Sequence, residues 1–250
     1  MSETPSERAE RWSAFRRMSA AGKLQYIVTY YKLPIVLTLL IVYVLSYGLY
    51  RQSVQREILL YAACANVSVG GAMEEILSGG FVRSLGGDAE KSAVYLYQNL
   101  YLSDHPAEQD HEYAYASRLK LLSAINVRQL DVVLMNREAY DFLSGIGYLA
   151  EIPDCLSGQN PDLCEKLRPF FVENRVIRED NALEYSLGEA DEYHADSVLE
   201  TNGVVLSAFP VFQEAGFSDT VYLGILPNTP RPEAVAAYLA YLTGSEQDAA

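Results

Sequence analysis

Two acidic stretches carry the chain's three histidines, and carboxylates beside histidines could hold a metal ion. Residues 104–112 include His105 and His111, and residues 189–196 include His194. Oxygen-rich loops of this kind bind calcium weakly when their ligands converge on one point. Neither stretch has the spacing of an EF-hand or its central glycine, and charge clusters on loops are usually solvated surface. We therefore expect no metal site and no cofactor.

Candidate nucleophiles and phosphate loops are equally weak. Ser144-Gly145-Ile146-Gly147 lacks the GxSxG order of a nucleophile elbow. The glycine-containing stretch 66–71 (NVSVGG) lacks the lysine of a P-loop. No order of serine, histidine and aspartate can be assigned to a triad from this sequence. The sequence predicts that the protein is not an enzyme.

Two of the three cysteines are close in the chain. Cys155 and Cys164 could be joined by a disulfide in an oxidising compartment. Cys64 would be left as a small buried apolar residue. None of the three has the CxxC spacing of a zinc or redox site.

One uncharged run determines how the chain is organised. Residues 33–50 (LPIVLTLLIVYVLSYGLY) contain no charged side chain and lie between Lys32 and Arg51. As a helix, these residues would span about 27 Å, close to the hydrocarbon thickness of a bilayer. The alternative is a buried helix of a globular core, which is usually shorter and carries a polar stripe. The sequence predicts one transmembrane helix over 33–50, an uncleaved signal anchor.

Charge sets the expected orientation. Residues 1–32 hold six basic and three acidic side chains, whereas the other 218 residues hold 13 basic and 30 acidic ones. The positive-inside rule then keeps the basic tail 1–32 in the cytoplasm and residues 51–250 outside the cell membrane. The acidity excludes nucleic acid as a partner, because phosphates would be repelled. Solubility alone explains that acidity equally well.

The outer part alternates apolar runs with helical patterns. Ile58–Ala65, Val94–Leu102 and Leu130–Met135 read as strands, and a helical pattern follows each of them. Such an order predicts an α/β fold with a mostly parallel sheet and right-handed crossovers. Val204–Phe209 and Val221–Leu226 also read as strands, and residues 189–196 read as an acidic loop.

Two stretches resemble the extracellular solute-binding proteins of transporters, the type II periplasmic-binding fold. Asp131-Val132-Val133, followed by Gly147, Leu149 and Ile152, is similar to that family's "D-V-V" strand and "G-x-L-x-x-L" run. Residues 226–249 resemble its C-terminal helix pattern. The matching positions there are Pro232-Glu233-Ala234, Tyr238, Tyr241-Leu242, Ser245-Glu246 and Gln247.

The resemblance implies a compact solute-binding-like domain over 51–250, with a possible small second lobe at about 155–215. In such a fold, ligands meet the carboxyl ends of the parallel strands. The residues there would be Asn66, Ser68, Gly70, Asn136, Ser207 and Phe209. The alternative is structural: the asparagines cap turns and helices, while Ser207 and Phe209 pack.

Two functions follow. The first is a membrane-tethered protein that captures a small polar solute for a transporter or sensor. The second is a non-enzymatic envelope assembly protein whose binding-protein fold has lost its cleft. The second function predicts a filled cleft and an exposed apolar or tyrosine-rich patch. The expected partners are the lipid bilayer and either a transporter or other envelope proteins.

Overall fold

The protein's computed structural model describes residues 19, 32–54, 56–88, 90–103 and 108–245. The chain divides into two compact units, residues 1–55 and residues 56–250. Apart from Ser19 and Lys32, the basic tail 1–32 lies outside the described residues, as do Asp104 and His105 of the first acidic stretch.

The first unit contains one described helix, α1 (Lys32–Val54), of 23 residues. Its described side chains, at 34 and 36–47, are all exposed. Thr38 Oγ1 donates to the carbonyl of Pro34 at 2.9 Å, which occupies the hydroxyl within the helix. Within the residues that the structure describes, no helix is both long enough and apolar enough to cross a membrane.

The second unit is built on a six-stranded sheet. Its strands are β1 (Glu57–Ala65), β2 (Ser92–Leu100), β3 (Val132–Met135), β4 (Phe171–Asp180), β5 (Ala195–Val205) and β6 (Tyr222–Ile225). Their order is β2-β1-β3-β6-β5-β4. β1 pairs in parallel with β2 and β3, and the other three pairings are antiparallel. Four strands therefore run in one direction, while β4 and β6 oppose them. The α/β class is confirmed, and the sheet is mixed.

Nine further helices lie in the described part of this unit. They are α2 (Gly71–Glu75), α3 (Phe81–Ser84), α4 (His111–Asn126), α5 (Arg137–Gly145), α6 (Ile152–Ser157), α7 (Pro161–Leu167), α8 (Ala182–Ser186), α9 (Pro210–Ala215) and α10 (Pro232–Leu242). A π-helical turn, Ile76–Gly80, joins α2 to α3. Short 3-10 turns cover Glu108–Asp110 and Arg168–Phe170.

Helices cover both faces of the sheet. Successive strand residues point to opposite faces, so Ala62 and Cys64 of β1 join one apolar cluster and Ala63 and Ala65 join the other. The first cluster includes side chains of α3 and α10, and the second includes side chains of α4 and α5. Strands buried on both faces explain the continuous apolar runs of β1 and β3.

The region of the expected second lobe supplies two strands to this same sheet. β4 and β5 pair along most of their lengths, from Phe171 with Val204 to Asp180 with Ala195. β5 ends at Val205, so the strand expected over 204–209 is wrong in its second half, where the chain turns into α9. The acidic loop expected over 189–196 is likewise shortened, because β5 already begins at Ala195.

Candidate functional site

The asparagines expected to bind a ligand are hydrogen-bonded within the fold. Asn66 follows β1 with a left-handed backbone, φ 57°. Its side chain donates to the carbonyl of Leu102 and accepts from the amide of Leu102, both at 2.7 Å. Asn136 follows β3 and caps α5, accepting from the amide of Ala139 at 3.0 Å. Each asparagine therefore closes a local turn or helix end.

The other expected ligand residues are divided between loop and core. Ser68 and Gly70 are exposed in the loop before α2. Ser207 Oγ accepts from the amide of Val221 at 2.8 Å. Phe209 is 8% exposed, and its ring lies 4.7 Å from that of Phe170. Ser207 and Phe209 follow β5, whereas Asn66 follows β1 and Asn136 follows β3. Because β6 lies between β3 and β5 in the sheet, the six residues are not gathered at one point.

The cysteines are three free thiols in the structure, so the disulfide expected between Cys155 and Cys164 is not formed there. The two residues lie on separate helices, α6 and α7, and both pack on the same apolar cluster. Burial raises the pKa of both thiols, which lowers the fraction of reactive thiolate. Among the described residues, no three histidine, cysteine or acidic side chains could share a metal ion.

The tyrosines of β1 and β2 form a cluster rather than a flat platform. Tyr95 and Tyr97 meet edge to face at 4.7 Å, and Tyr61 is tilted against Tyr95 at 5.8 Å. Arg231 lies over the Tyr61 ring at 4.7 Å, and Lys120 lies over Tyr97 at 5.6 Å. Cations therefore occupy a face of the Tyr61 and Tyr97 rings, and Tyr95 is the exposed ring of the cluster.

The concave surfaces in the described part of the outer unit include two grooves between helices and one beside the β4–β5 pair. A groove of about 740 Å³ lies between α7 and α10, and one of about 320 Å³ lies between α4 and α5. The third, of about 650 Å³, is lined by Phe171, Val172, Glu173 and Thr201 of β4 and β5, together with Pro153 and Arg168. The third concavity adjoins a large exposed apolar surface, because Thr201 directly follows Leu199 and Glu200 in β5.

That surface is the far end of the β4–β5 hairpin, residues 177–200, which we call the arm. All of these residues are described, and none has a buried side chain. Val176 is the last buried residue of β4, and β4 continues for four residues beyond it, about 14 Å at the usual strand rise. The arm therefore projects from the sheet without a core of its own.

The arm exposes large apolar side chains. Leu183, Leu187 and Leu199 are 69%, 64% and 70% exposed, and Tyr185 is 50% exposed. Val198 precedes Leu199 in β5, so these two neighbours project from opposite faces of the hairpin. Apolar side chains concentrated on one projecting segment are typical of a protein interaction site.

Hydrogen bonds hold the arm in a defined shape. The Asn181 side chain donates to the carbonyl of Glu192 at 2.8 Å and accepts from the amide of His194 at 2.7 Å. The Tyr193 hydroxyl donates to Asp180 at 3.2 Å. These contacts join the two strand ends across α8, so the apolar side chains are displayed on an ordered scaffold.

A buried polar network anchors the arm at its base. The Tyr140 hydroxyl of α5 lies 2.8 Å from Asn202 Oδ1 and 3.0 Å from the carbonyl of Val172. Asn202 Nδ2 donates to Ser144 Oγ at 2.8 Å, and that hydroxyl donates to the carbonyl of Arg175 at 3.0 Å. Burial raises the pKa of Tyr140, which keeps its hydroxyl a donor. The network fixes both strands to α5 just before the arm begins.

Sequence reasoning missed the arm. A signal was present, because apolar pairs such as Val198-Leu199 interrupt a strongly polar stretch. Comparison of the chain with protein families, with curated proteins and with solved structures found no match in any of the three.

Proposed function

We propose that this chain is a membrane-tethered, non-enzymatic interaction protein of the cell envelope. Its outer α/β unit docks to another protein through the arm. The observation that carries the proposal is the display of Leu183, Leu187 and Leu199 on an ordered segment without a buried residue. Apolar side chains in this arrangement are stabilised when a partner covers them.

The tether is proposed from the uncharged run 33–50. It is supported by the length of that run and by its lack of charged side chains. Basic residues in the preceding tail favour a cytoplasmic N-terminus. The C-terminal unit then faces the outside, where envelope proteins are available as partners.

Solute capture is the second candidate. The resemblance to solute-binding proteins implies it, and the groove of about 320 Å³ between α4 and α5 has the size of a small-ligand pocket. Arg118 and Phe142 line that groove, with the guanidinium 4.4 Å from the ring centre. The six residues first expected to bind the solute lie elsewhere, and the asparagines and Ser207 hold the fold together. Docking is therefore the better supported function.

The test compares the size of complexes extracted from native membranes in mild detergent. We expect the triple variant L183S/L187S/L199S to migrate at the mass of the free protein, whereas the unaltered chain migrates in a larger complex. The three leucines are exposed, so the free energy of unfolding should change by less than about 0.5 kcal/mol for each substitution.

A matched control is Val127→Ser, which removes an apolar side chain that is 61% exposed outside the arm. This variant should keep the larger complex. Equal migration of the unaltered chain and the triple variant would reject docking through the arm.

A further inference from the structure

We infer that the partner of the arm is a protein surface that combines apolar side chains with cationic ones. This inference rests on the proposed function and adds the chemistry of the partner. It is carried by the exposed apolar side chains of the arm together with the acidic side chains of the same segment.

The arm is strongly acidic. Residues 177–200 contain eight acidic side chains and a single basic one, Arg178, besides His194. Arg178 is already paired with Glu200, at the base of the arm. Glu184, Glu189 and Glu192 are exposed, and Glu184 and Glu189 lie within two residues of Leu183 and Leu187 in the chain. Exposed leucines on a strongly acidic segment are complementary to a surface that combines apolar side chains with lysine and arginine.

The same charges argue against a second copy of this chain. In a two-fold dimer formed through the arm, each arm would meet an identical one. Glutamates would then face glutamates, and like charges placed opposite each other across an interface are unfavourable. An anionic lipid surface is disfavoured for the same reason, since such surfaces attract basic segments.

The docking surface extends beyond the leucines. Thr201 follows the arm directly in β5, and it lines the concavity of about 650 Å³ together with Glu173 and Phe171. Leu199 and Thr201 are two residues apart on the same strand, so they share a face of the hairpin. One partner segment could therefore cover Leu199 and enter the concavity.

The probe is a fluorescein-labelled, amphipathic helical peptide of lysine and leucine. Its binding to the full-length chain in zwitterionic nanodiscs is followed by fluorescence anisotropy, with empty nanodiscs subtracted. We expect binding to weaken at least about tenfold between about 0.1 M and about 1 M salt, because the Debye length shortens from about 10 Å to about 3 Å.

Two arm variants and two controls separate the contributions. We expect L183S/L187S/L199S and E184Q/E189Q/E192Q each to weaken binding about tenfold, and the glutamine variant also to reduce the salt dependence. The controls V127S and E112Q/D162N/E214Q alter exposed residues outside the arm and should bind as the unaltered chain does.

Each contrary result has its own meaning. If E184Q/E189Q/E192Q and E112Q/D162N/E214Q weaken peptide binding equally, the peptide responds to the overall acidity of the chain. That result overturns the inference. Unchanged binding by both arm variants overturns it too. Either result could be found while L183S/L187S/L199S still loses the larger complex extracted from membranes. Docking through the arm would then be retained, and only the cationic character of the partner would be rejected. Arm-dependent binding to anionic vesicles, or self-association of the protein through the arm, would also overturn the inference.

Discussion

Arg231→Leu should lower the free energy of unfolding by about 3–5 kcal/mol, because it leaves a buried carboxylate without its counter-ion. Asp131 directly precedes β3 and is fully buried. The Arg231 guanidinium lies 3.0 Å from each of its carboxylate oxygens. Thr229 Oγ1 and the amide of Tyr61 also donate to the Asp131 carboxylate, at 2.5 Å and 2.8 Å. Denaturant unfolding followed by circular dichroism measures the loss.

The control is an exposed ion pair of the same outer unit. Arg83 and Glu75 are 2.6 Å apart, but both side chains are more than half exposed, so Arg83→Leu should cost less than about 1 kcal/mol. Adding Asp131→Asn to Arg231→Leu should recover part of the lost stability, since the remaining buried group is then neutral. A cost below about 1 kcal/mol for Arg231→Leu would contradict this account of the network.

Phe81→Ala should also cost about 3–5 kcal/mol, because it opens a cavity where α3 packs on α10. Phe81 is fully buried, and its ring meets Tyr238 edge-on at 4.9 Å and Tyr241 at 5.7 Å. Both tyrosine hydroxyls donate to the π turn, Tyr238 to the carbonyl of Leu77 and Tyr241 to that of Ile76. Loss of the Phe81 ring therefore removes packing contacts from both tyrosine rings, and it also loosens the rings whose hydroxyls make these two hydrogen bonds.

The matched control for Phe81→Ala is Tyr115→Ala on α4, where the removed ring is 64% exposed. That change should stay within about 0.5 kcal/mol. Similar midpoints for Phe81→Ala and the unaltered chain would mean that the α3–α10 contact does not hold the fold together.

The buried parallel strands could be predicted from the sequence because burial on both faces leaves continuous apolar runs. β1 and β3 fall within one or two residues of the expected bounds, and α5 follows β3, where a helical pattern was expected. Asn136 shows the limit of such reasoning. An asparagine after a strand is compatible with a ligand site and with a helix cap, and here it caps α5.

Features that depend on distant partners could not be predicted. A glycine pair such as Gly79-Gly80 is typical of a helix end, but here the chain continues through a π turn into α3. The carbonyls of Ile76 and Leu77 find donors on α10, more than 160 residues later. The ion pair of Asp131 with Arg231 is likewise 100 residues apart in the chain. Local patterns contain no information about these contacts.

The arm escaped prediction for a different reason. Residues 189–196 are polar and acidic, which is typical of a surface loop, and β4 and β5 have no alternation that marks a buried face beyond Val176. Pairing with each other stabilises these strand ends, and neither packs on a core. Because no residue of the arm is buried within this chain, its sequence satisfies none of the usual criteria of a buried element.

The most direct test of docking through the arm is site-specific photo-cross-linking in intact cells that express the full-length chain. A photoreactive amino acid replaces Leu199 in one sample and Val127 in the other, two apolar positions that are 70% and 61% exposed. Docking predicts a discrete adduct with a different protein at position 199 and none at position 127. The absence of an adduct at 199, or the same adducts at both positions, would contradict it.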